Sequence, residues 1–398
     1  MAERQGPMAG VRILDLGSVL AAPWSTTLLA DQGADVIKIE PPGLGDVQRY
    51  LGAVRNGFSA LHQAVNHGKR SLALDLKQPD ALAAVHKLVA ETDVVAHNFR
   101  PGVAERLGVD YATLAAINPE LVYLSVTGFG HEGPLAGKAA YDNVIQAFAG
   151  VAMSQADTTT GEPVQYYQLF GDKVTGMFAC QAITSALFAR ERGAGGQHIQ
   201  LAMVDAVTSF LWPDVAETAA FLEPGAKAGI ALSKGVPLVR FSDGYGQVAP
   251  VKDHHFHGYC AAFGVDSSDP RLATITERSV NGELVKETLA KVTAAAAQVP
   301  TEDAIARLEE ADVPCARAYH LHELPDHPQM KANGLFVETQ HPEAGRMIEP
   351  RYPAQFGGTP PNHGAIAAGL GQHSRGILQH LGYDDAEIDA LYESGAIA

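Results

Sequence analysis

Two carboxylates and one cluster of cations around an aromatic ring are the residues of this chain best placed, by type and spacing, to do chemistry. In Tyr167-Gln168-Leu169-Phe170-Gly171-Asp172-Lys173-Val174-Thr175-Gly176 an apolar run leads into Gly-Asp, and a long helical pattern follows. That order predicts the Asp172 carboxylate at the mouth of a helix, on the edge of a buried element. A carboxylate there is either a helix N-cap, which Asp does well, or a nucleophile in a partly dry pocket. Two neighbours favour the second role. Gly171 lets a ligand or another backbone come close. Lys173, Val174 and Thr175 would present free helix-start N–H groups to a developing oxyanion. Upstream, Lys138 and Tyr141-Asp142 precede the apolar Val144-Ile145-Gln146-Ala147-Phe148. Asp142 reads as a second cap or as a site residue, and Tyr141 as a core ring with a wet edge or as part of the same site.

The cations belong to His97-Asn98-Phe99-Arg100-Pro101-Gly102 and Arg106, directly after a predicted strand. Ligands of parallel sheets collect at the carboxyl ends of strands. A ring there can stack a base while Arg or Lys meets phosphates. Arg100 and Arg106 read equally as solvated charges on a helix surface. The histidines of Asp253-His254-His255-Phe256-His257, with His320, His322 and His327, invite a metal reading. His254 and His257 have helical i, i+3 spacing, but the pattern fixes no carboxylate partner or third ligand, so no metal is expected. Leu16-Gly17-Ser18-Val19-Leu20-Ala21-Ala22-Pro23 lacks the glycine spacing of a dinucleotide fingerprint, and there is no phosphate-loop lysine motif.

The elements that must position these residues follow from the pattern. Short strands are expected at Arg12 to Leu16, Ala34 to Glu40, Ser71 to Leu76, Asp93 to Ala96, Leu121 to Thr127 and Gln197 to Leu201. Helices are expected at Ala21 to Gln32, at Pro79 to Thr92, from after Asp172 to Arg190 and from about Val204. This alternation predicts an α/β fold with a Rossmann-like, mostly parallel sheet covered on both faces. Residues 1–222 form the first part of that large domain, and 223–237, with Gly, Pro and Lys, read as a linker. Residues 238–334 read as a smaller α+β domain, with a strand near Phe241 to Pro250 and helices at Glu283 to Ala297 and Glu302 to Ala311. From Leu335 to the end the pattern changes again and closes on a helix near His373 to Leu381.

The 398 residues are 46% hydrophobic, enough for a large core, and carry a net charge of −16. An acidic surface argues against nucleic-acid and anionic-membrane partners. An anionic ligand must then be met by local cations or backbone N–H groups. No apolar run has the length of a membrane span, and the first ten residues carry no apolar signal core. Cys180, Cys260 and Cys315 are far apart and give no disulfide or zinc framework. These features predict a cytoplasmic protein.

With those residues in view, the chain resembles the class III CoA-transferase family, the group of formyl-CoA transferase, carnitine CoA-transferase and α-methylacyl-CoA racemase. The likeness runs almost end to end: Val11-Arg12-Ile13-Leu14-Asp15-Leu16, Gly33 to Glu40, Lys69 to Lys77, Asn98-Phe99-Arg100-Pro101-Gly102, Thr127-Gly128-Phe129-Gly130, Gly171-Asp172, Gly196-Gln197-His198-Ile199, Met203-Val204-Asp205-Ala206 and Leu370-Gly371-Gln372-His373-Ser374. The resemblance implies a CoA-transferase with Asp172 as nucleophile and Asp142 as a nearby acidic residue. It implies that Leu74, Lys77, Asn98, Phe99 and Arg106 hold the CoA adenine and phosphates, and that Lys138 and Tyr141 line the CoA channel. The CoA thioester is then a substrate, with no permanently bound cofactor, and the second substrate is a small carboxylic acid. The 335–398 segment is expected to return to the large domain, and two chains to interlock as a homodimer.

Three departures narrow the reading. Racemases of the family place His where this chain has Tyr141, so a racemase or epimerase here would lack one of its two bases. Leu20 stands where formyl-CoA transferases use Gln. Pro250-Val251-Lys252-Asp253-His254-His255 replaces their tetraglycine loop. Formate and oxalate are therefore poor substrates on this reading, and a larger, partly apolar acid or a dicarboxylate is expected. A non-catalytic acyl-CoA binder is the remaining alternative, in which Asp172 is a cap alone.

Overall fold

Short runs of Val, Ile and Leu covered on both faces build the first part of this molecule, as a parallel sheet under helices requires. The computed structural model describes residues 4–157, 159–227 and 237–398. The chain divides into two compact units, Met1–Ala228 with Asn333–Ala398, and Gly229–Ala332. Residues 228–236 of the expected linker lie outside the described residues.

In the first unit the elements run β1 (Arg12–Asp15), α1 (Ala21–Ala30), β2 (Asp35–Glu40), β3 (Arg70–Ala73), α2 (Pro79–Val89), β4 (Val94–His97), α3 (Val103–Leu107), β5 (Val122–Thr127), α4 (Asp142–Phe148), α5 (Phe170–Ala189), β6 (Gln197–Ala202) and α6 (Met203–Val215). The six strands form one sheet in the order β3-β2-β1-β4-β5-β6. All its pairings are parallel, with Ile13 opposite Val36 on one side and Val94 on the other. The order therefore reverses between β1 and β4. The crevice beyond the carboxyl ends of those two strands is where such sheets bind ligands.

The period-2 alternation of the strands sorts two cores. Leu14, Ile37, Ile39 and Leu72 pack with α2 and the C-terminal helices. Ile13, Val36, Val94 and Val122 pack with α1 and α5. Helices α1 and α5 approach closely because Gly176 has no side chain. A Cβ there would lie 2.6 Å from Trp24 Cδ1 and 3.0 Å from the Ala21 carbonyl oxygen.

The smaller unit carries β7 (Val239–Arg240), β8 (Tyr245–Val248), α7 (Asp253–Ala262), α8 (Gly282–Ala296), α9 (Thr301–Glu310) and β9 (Cys315–Arg317). Its strands form an antiparallel sheet in the order β9-β8-β7 around the buried Phe241, Phe256 and Leu308. The strand expected from Phe241 is shorter because Phe241 N–H closes a turn on the Gly244 carbonyl, 2.9 Å away.

The C-terminal segment belongs to the first unit. It forms the hairpin β10 (Phe336–His341) and β11 (Gly345–Pro350), then α10 (Ser374–His380) and α11 (Asp385–Glu393). Its end covers the β3 edge: Asp75 N–H donates to Ala396 O at 2.9 Å, and Ala398 N–H to Ala73 O at 3.2 Å. Strand β3 ends at Ala73, short of the expected Leu76, and Leu74 pairs with Ile397 instead. Among the described residues no helix is long and apolar enough to cross a membrane.

Candidate active site

Asp172 is the third residue of α5, because the helix opens at Phe170 with Leu169 at its N-cap. The expectation of a helix beginning after Asp172 is corrected accordingly. Leu169 has no side-chain acceptor to close the first turn. Asp142 supplies one: its Oδ1 accepts the Asp172 backbone N–H at 2.9 Å. Asp142 is itself the first residue of α4, after Tyr141 at the N-cap. Thus the carboxylate expected to cap its own helix caps the next one. Gln146, one turn along α4, donates its amide to Asp142 Oδ2 and, at 2.8 Å, to Gln168 O.

The Lys173 N–H is already closed on Leu169 O at 3.2 Å, so it is not open to an oxyanion. Val174 and Thr175 lie deeper in α5, where the helix provides acceptors for their N–H groups. From the start of α1, the Ala21 backbone favours the ionised form of the Asp172 carboxylate. Gly171 does admit a close neighbour: a Cβ there would lie 3.3 Å from Asp142 Oδ1 and 3.5 Å from Ile145 Cγ2.

Both carboxylates are buried, Asp172 to 8% exposure and Asp142 to 6%. Burial first, and the Asp142 charge second, push the Asp172 carboxyl up to about 7, against the lowering effect of the Ala21 backbone. A carboxylate so placed is poorly solvated when ionised and hence a stronger nucleophile than a free one.

The crevice at the strand-order reversal holds a cavity of about 430 Å³. Leu16, Ser18, Val19, Leu74, Lys77 and Phe99 are among its lining residues. Phe99 stacks on His97 with ring centroids 5.0 Å apart, and His97 Nδ1 accepts the Phe99 N–H at 3.0 Å. Burial, together with the nearby His198 and His131, pushes His97 down to about 3, so it is a neutral base for the stack.

Beneath the cavity lies a cluster of buried charges that the motif reading missed. Lys38 pairs with Asp46 at 3.0 Å, Lys69 with Asp15 at 2.8 Å, and Arg49 with Glu40 at 2.7 Å. Burial opposes ionisation of Glu40, but the Arg49 guanidinium, Lys38 and the Asp46 N–H together outweigh it and hold the carboxyl down at about 2. Signs balance within the cluster, as buried charges require. The available signal was Lys38 and Glu40, two residues apart in an apolar strand and so on one face.

The predicted site residues fall into two groups. Leu74, Lys77 and Phe99 come together at the cavity. Asn98 lies beside it, bonded to Ser18, and Arg106 is exposed on α3 next to the cavity-lining Leu107. Asp142 and Asp172 form the second group, with Tyr141 65% exposed at the start of α4 and Lys138 exposed on the loop before it. The segment Gly17 to Ala21 joins the two groups. The spacing of His254 and His257 does not pair them: His257 turns to Ser267 Oγ at 2.9 Å. His254 lies near His255 and Asp312 instead, but His255 Nδ1 already accepts the Lys252 N–H.

Comparison with known proteins adds the following. The family model described as CoA-transferase family III matches residues 8–374. The chain is 32% identical to a succinate–glutarate CoA-transferase of Agrobacterium fabrum, over 96% of this chain and 97% of that protein. It is 34% identical to an acetyl-CoA:oxalate CoA-transferase of Acetobacter aceti, over 90% and 91% respectively. A crystal structure of a CAIB/BAIF family protein from Brucella suis is similar with a TM-score of 0.83 and 32% identity, covering 95% of this chain and all of that one.

Proposed function

The chain belongs to CoA-transferase family III and is a CoA-transferase, and we propose that it moves CoA between carboxylic acids through covalent intermediates on Asp172. One observation carries the proposal: a carboxylate buried beside a second one, Asp142, which holds its backbone N–H and opposes its ionisation.

The chemistry runs as a series of anion exchanges. An Asp172 oxygen attacks the donor thioester carbonyl, the C–S bond breaks, and CoA leaves as thiolate, giving a mixed anhydride. The thiolate then attacks the Asp172 carbonyl, the donor acid leaves as carboxylate, and an aspartyl-CoA thioester remains. The acceptor carboxylate displaces CoA to form a second anhydride. CoA thiolate attacks its acceptor carbonyl and frees Asp172. An anion enters and an anion leaves at every step, so no net proton moves. Asp142 therefore need not act as an acid; it orients Asp172 and makes its ionised form more reactive. The start of α1, at the Ala21 backbone, would stabilise charge on the Asp172 carbonyl oxygen as each tetrahedral adduct forms.

The cavity is assigned to CoA. Phe99 offers a ring for the adenine, Leu74 an apolar wall, and Lys77 a cation for phosphate, with Asn98, Arg106 and Lys138 as the further contacts the resemblance implies. The acids are assigned as dicarboxylates or larger, partly apolar acids. Succinate and glutarate in the name of one relative support the dicarboxylate class. The apolar Leu20 next to Ala21 supports an acid longer than oxalate. A homodimer is part of the reading. Met177 and Phe188 on α5 and Phe210 and Trp212 on α6 are at least half exposed, an apolar face that a second copy would cover. The interlock itself rests on the resemblance alone.

The test is to incubate the protein with acetyl-, succinyl- and glutaryl-CoA, quench with hydroxylamine, and map the modified peptide by mass spectrometry. A thioester-dependent hydroxamate on Asp172 is the expected result, and the responsive thioester identifies the donor class. No adduct, despite CoA binding, returns Asp172 to a structural role.

A further inference from the structure

The loop Gly17-Ser18-Val19 is held at each of its residues by a different side chain from another part of the chain. Lys38 Nζ donates to Gly17 O at 2.8 Å. Asn98 grips Ser18 from both sides: its Oδ1 accepts the Ser18 N–H at 2.8 Å, and its Nδ2 donates to Ser18 O at 2.7 Å. Asp46 Oδ1 accepts the Val19 N–H at 3.2 Å. Lys38 and Asp46 are in turn an ion pair, each with 2% of its side chain exposed.

What they hold is strained. Val19 has φ of +63°, where a β-branched residue is a genuine outlier. Such a conformation persists when its surroundings over-determine it. The loop also cannot relax inward, since a Cβ on Gly17 would lie 2.8 Å from both Ala22 Cβ and Pro23 Cδ. One end of the segment lines the cavity and the other is Ala21, which packs against α5 at Gly176, one turn beyond Asp172.

We infer that Asn98 is a positioning residue for the reaction: it clamps Ser18 and, with the Lys38–Asp46 pair as second anchor, holds the Gly17–Val19 loop in the strained form that sets the start of α1 against α5 beside Asp172. The inference rests on Asp172 as nucleophile. It gives the Asn98 side chain a role in addition to any contact with CoA, because both polar atoms of its amide are turned to one residue of the loop. A CoA ligand and a loop clamp differ in what their loss does. Loss of a ligand weakens binding of CoA in ground and transition states alike, whereas loss of a clamp spares affinity and slows the step that needs the donor aligned.

The experiment compares wild type, Asn98→Ala and Val19→Gly as full chains. Affinity for free CoA is read by calorimetry, and acylation of Asp172 by single-turnover hydroxylamine trapping with the acetyl-, succinyl- and glutaryl-CoA panel. Asn98→Ala is expected to slow acylation about tenfold to a hundredfold, the scale of a small misplacement near the chemistry, with CoA affinity changed by less than ~2-fold. Glycine adopts positive φ without strain, so Val19→Gly is expected to fold with an undiminished melting temperature, and a lowered one would count against strain at Val19. Unchanged acylation in Asn98→Ala, or a loss of CoA affinity as large as any loss of acylation, overturns the inference. Absence of any adduct on wild-type Asp172 overturns the nucleophile reading first and this inference with it.

Discussion

Replacing Asp142 by Asn tests whether a neighbouring charge sets the working range of Asp172. Burial first, and Asp142 second, raise the Asp172 carboxyl from 3.8 to about 7. A rise of ~3 units amounts to roughly 4 kcal/mol held against the ionised form. Attack requires that form, so acylation of the wild type increases with pH through about 7. The ionised share is roughly a tenth one unit below that midpoint and a half at it. Because burial is the larger cause, the Asp142 charge supplies less than half of the upward push, and a loss of ~1 unit is the working magnitude for the prediction. The Asp142→Asn variant keeps an amide oxygen for the Asp172 N–H and loses the charge. Its acid limb is expected to fall by ~1 unit, and acylation near pH 6, scaled to the variant's own plateau, to rise roughly fivefold. The assay is single-turnover hydroxylamine trapping across a pH series, with Asp142→Asn and wild type in parallel. A limb that stays in place or moves upward refutes the assignment to the Asp142 charge. A wild-type limb in the ordinary carboxylate range refutes the contribution of burial as well.

The same shift makes Asp172 a cost to the fold. Its folded-state pKa is raised, so its contribution to stability is full below 3.8 and is lost as pH rises through about 7. Asp172→Asn is therefore expected to be more stable than wild type above neutral pH, with a ceiling of roughly 4 kcal/mol, and to match it near pH ~4. Melting curves at the two pH values check this, and a difference that does not depend on pH would count against it. Gly176→Ala sets two effects in opposition. Ala in a helix interior is favoured over Gly by roughly 1 kcal/mol, but its Cβ would meet Trp24 Cδ1 at 2.6 Å and the Ala21 carbonyl at 3.0 Å. Overpacking of that kind costs about 1–3 kcal/mol, so urea unfolding should show a net loss. Acylation should fall as well, because α1 is pushed away from Asp172. A more stable variant with full activity would show that α1 and α5 are free to separate.

The sheet was legible because its strands are apolar runs covered on both faces and separated by turn residues. The boundaries slipped where tertiary contacts intervene: β3 stops at Ala73 because the C-terminal Ile397 takes over pairing at Leu74. At the candidate site, Gly-Asp before a helical pattern marked Asp172 as a carboxylate near a helix start, but its geometry was not legible. A sequence reader places a helix start at a residue able to cap it, whereas α5 starts at Phe170 after the apolar Leu169. The missing acceptor comes from Asp142, thirty residues earlier in the chain, and no local spacing encodes that. The charges of Lys38 and Glu40 were visible in β2, but their partners Asp46 and Arg49 follow the Pro41-Pro42-Gly43 turn. Nothing in the pattern says that this turn folds back over the sheet edge. Asn98 stood out as a polar residue after a strand, and the resemblance assigned it to CoA. Its two bonds to Ser18 depend on β1 and β4 being neighbours, which is a property of the strand order.

The balance of charge decides how an acidic protein can take an anionic substrate. The net charge of −16 opposes approach, but at physiological salt that repulsion is screened beyond about 8 Å. Recognition therefore depends on cations within a few ångströms of the phosphates. Three cations lie close under the cavity, yet each is already matched: Lys38 by Asp46, Arg49 by Glu40 and Lys69 by Asp15. Their fields largely cancel outside the cluster, so they hold the loop and add little attraction for a phosphate. On the proposed placement of CoA, the phosphates are then met by cations outside the cluster, the exposed Lys77, Arg106 and Lys138 among them. The division has a chemical advantage. If the loop were held by the same charges that bind phosphate, each CoA departure would loosen the start of α1 beside Asp172. CoA must leave and re-enter the reacting position twice per turnover in the proposed cycle. In the proposed cycle, anchoring the loop on an internally neutral cluster would keep Asp172 aligned through the steps in which its partner is an anion in motion.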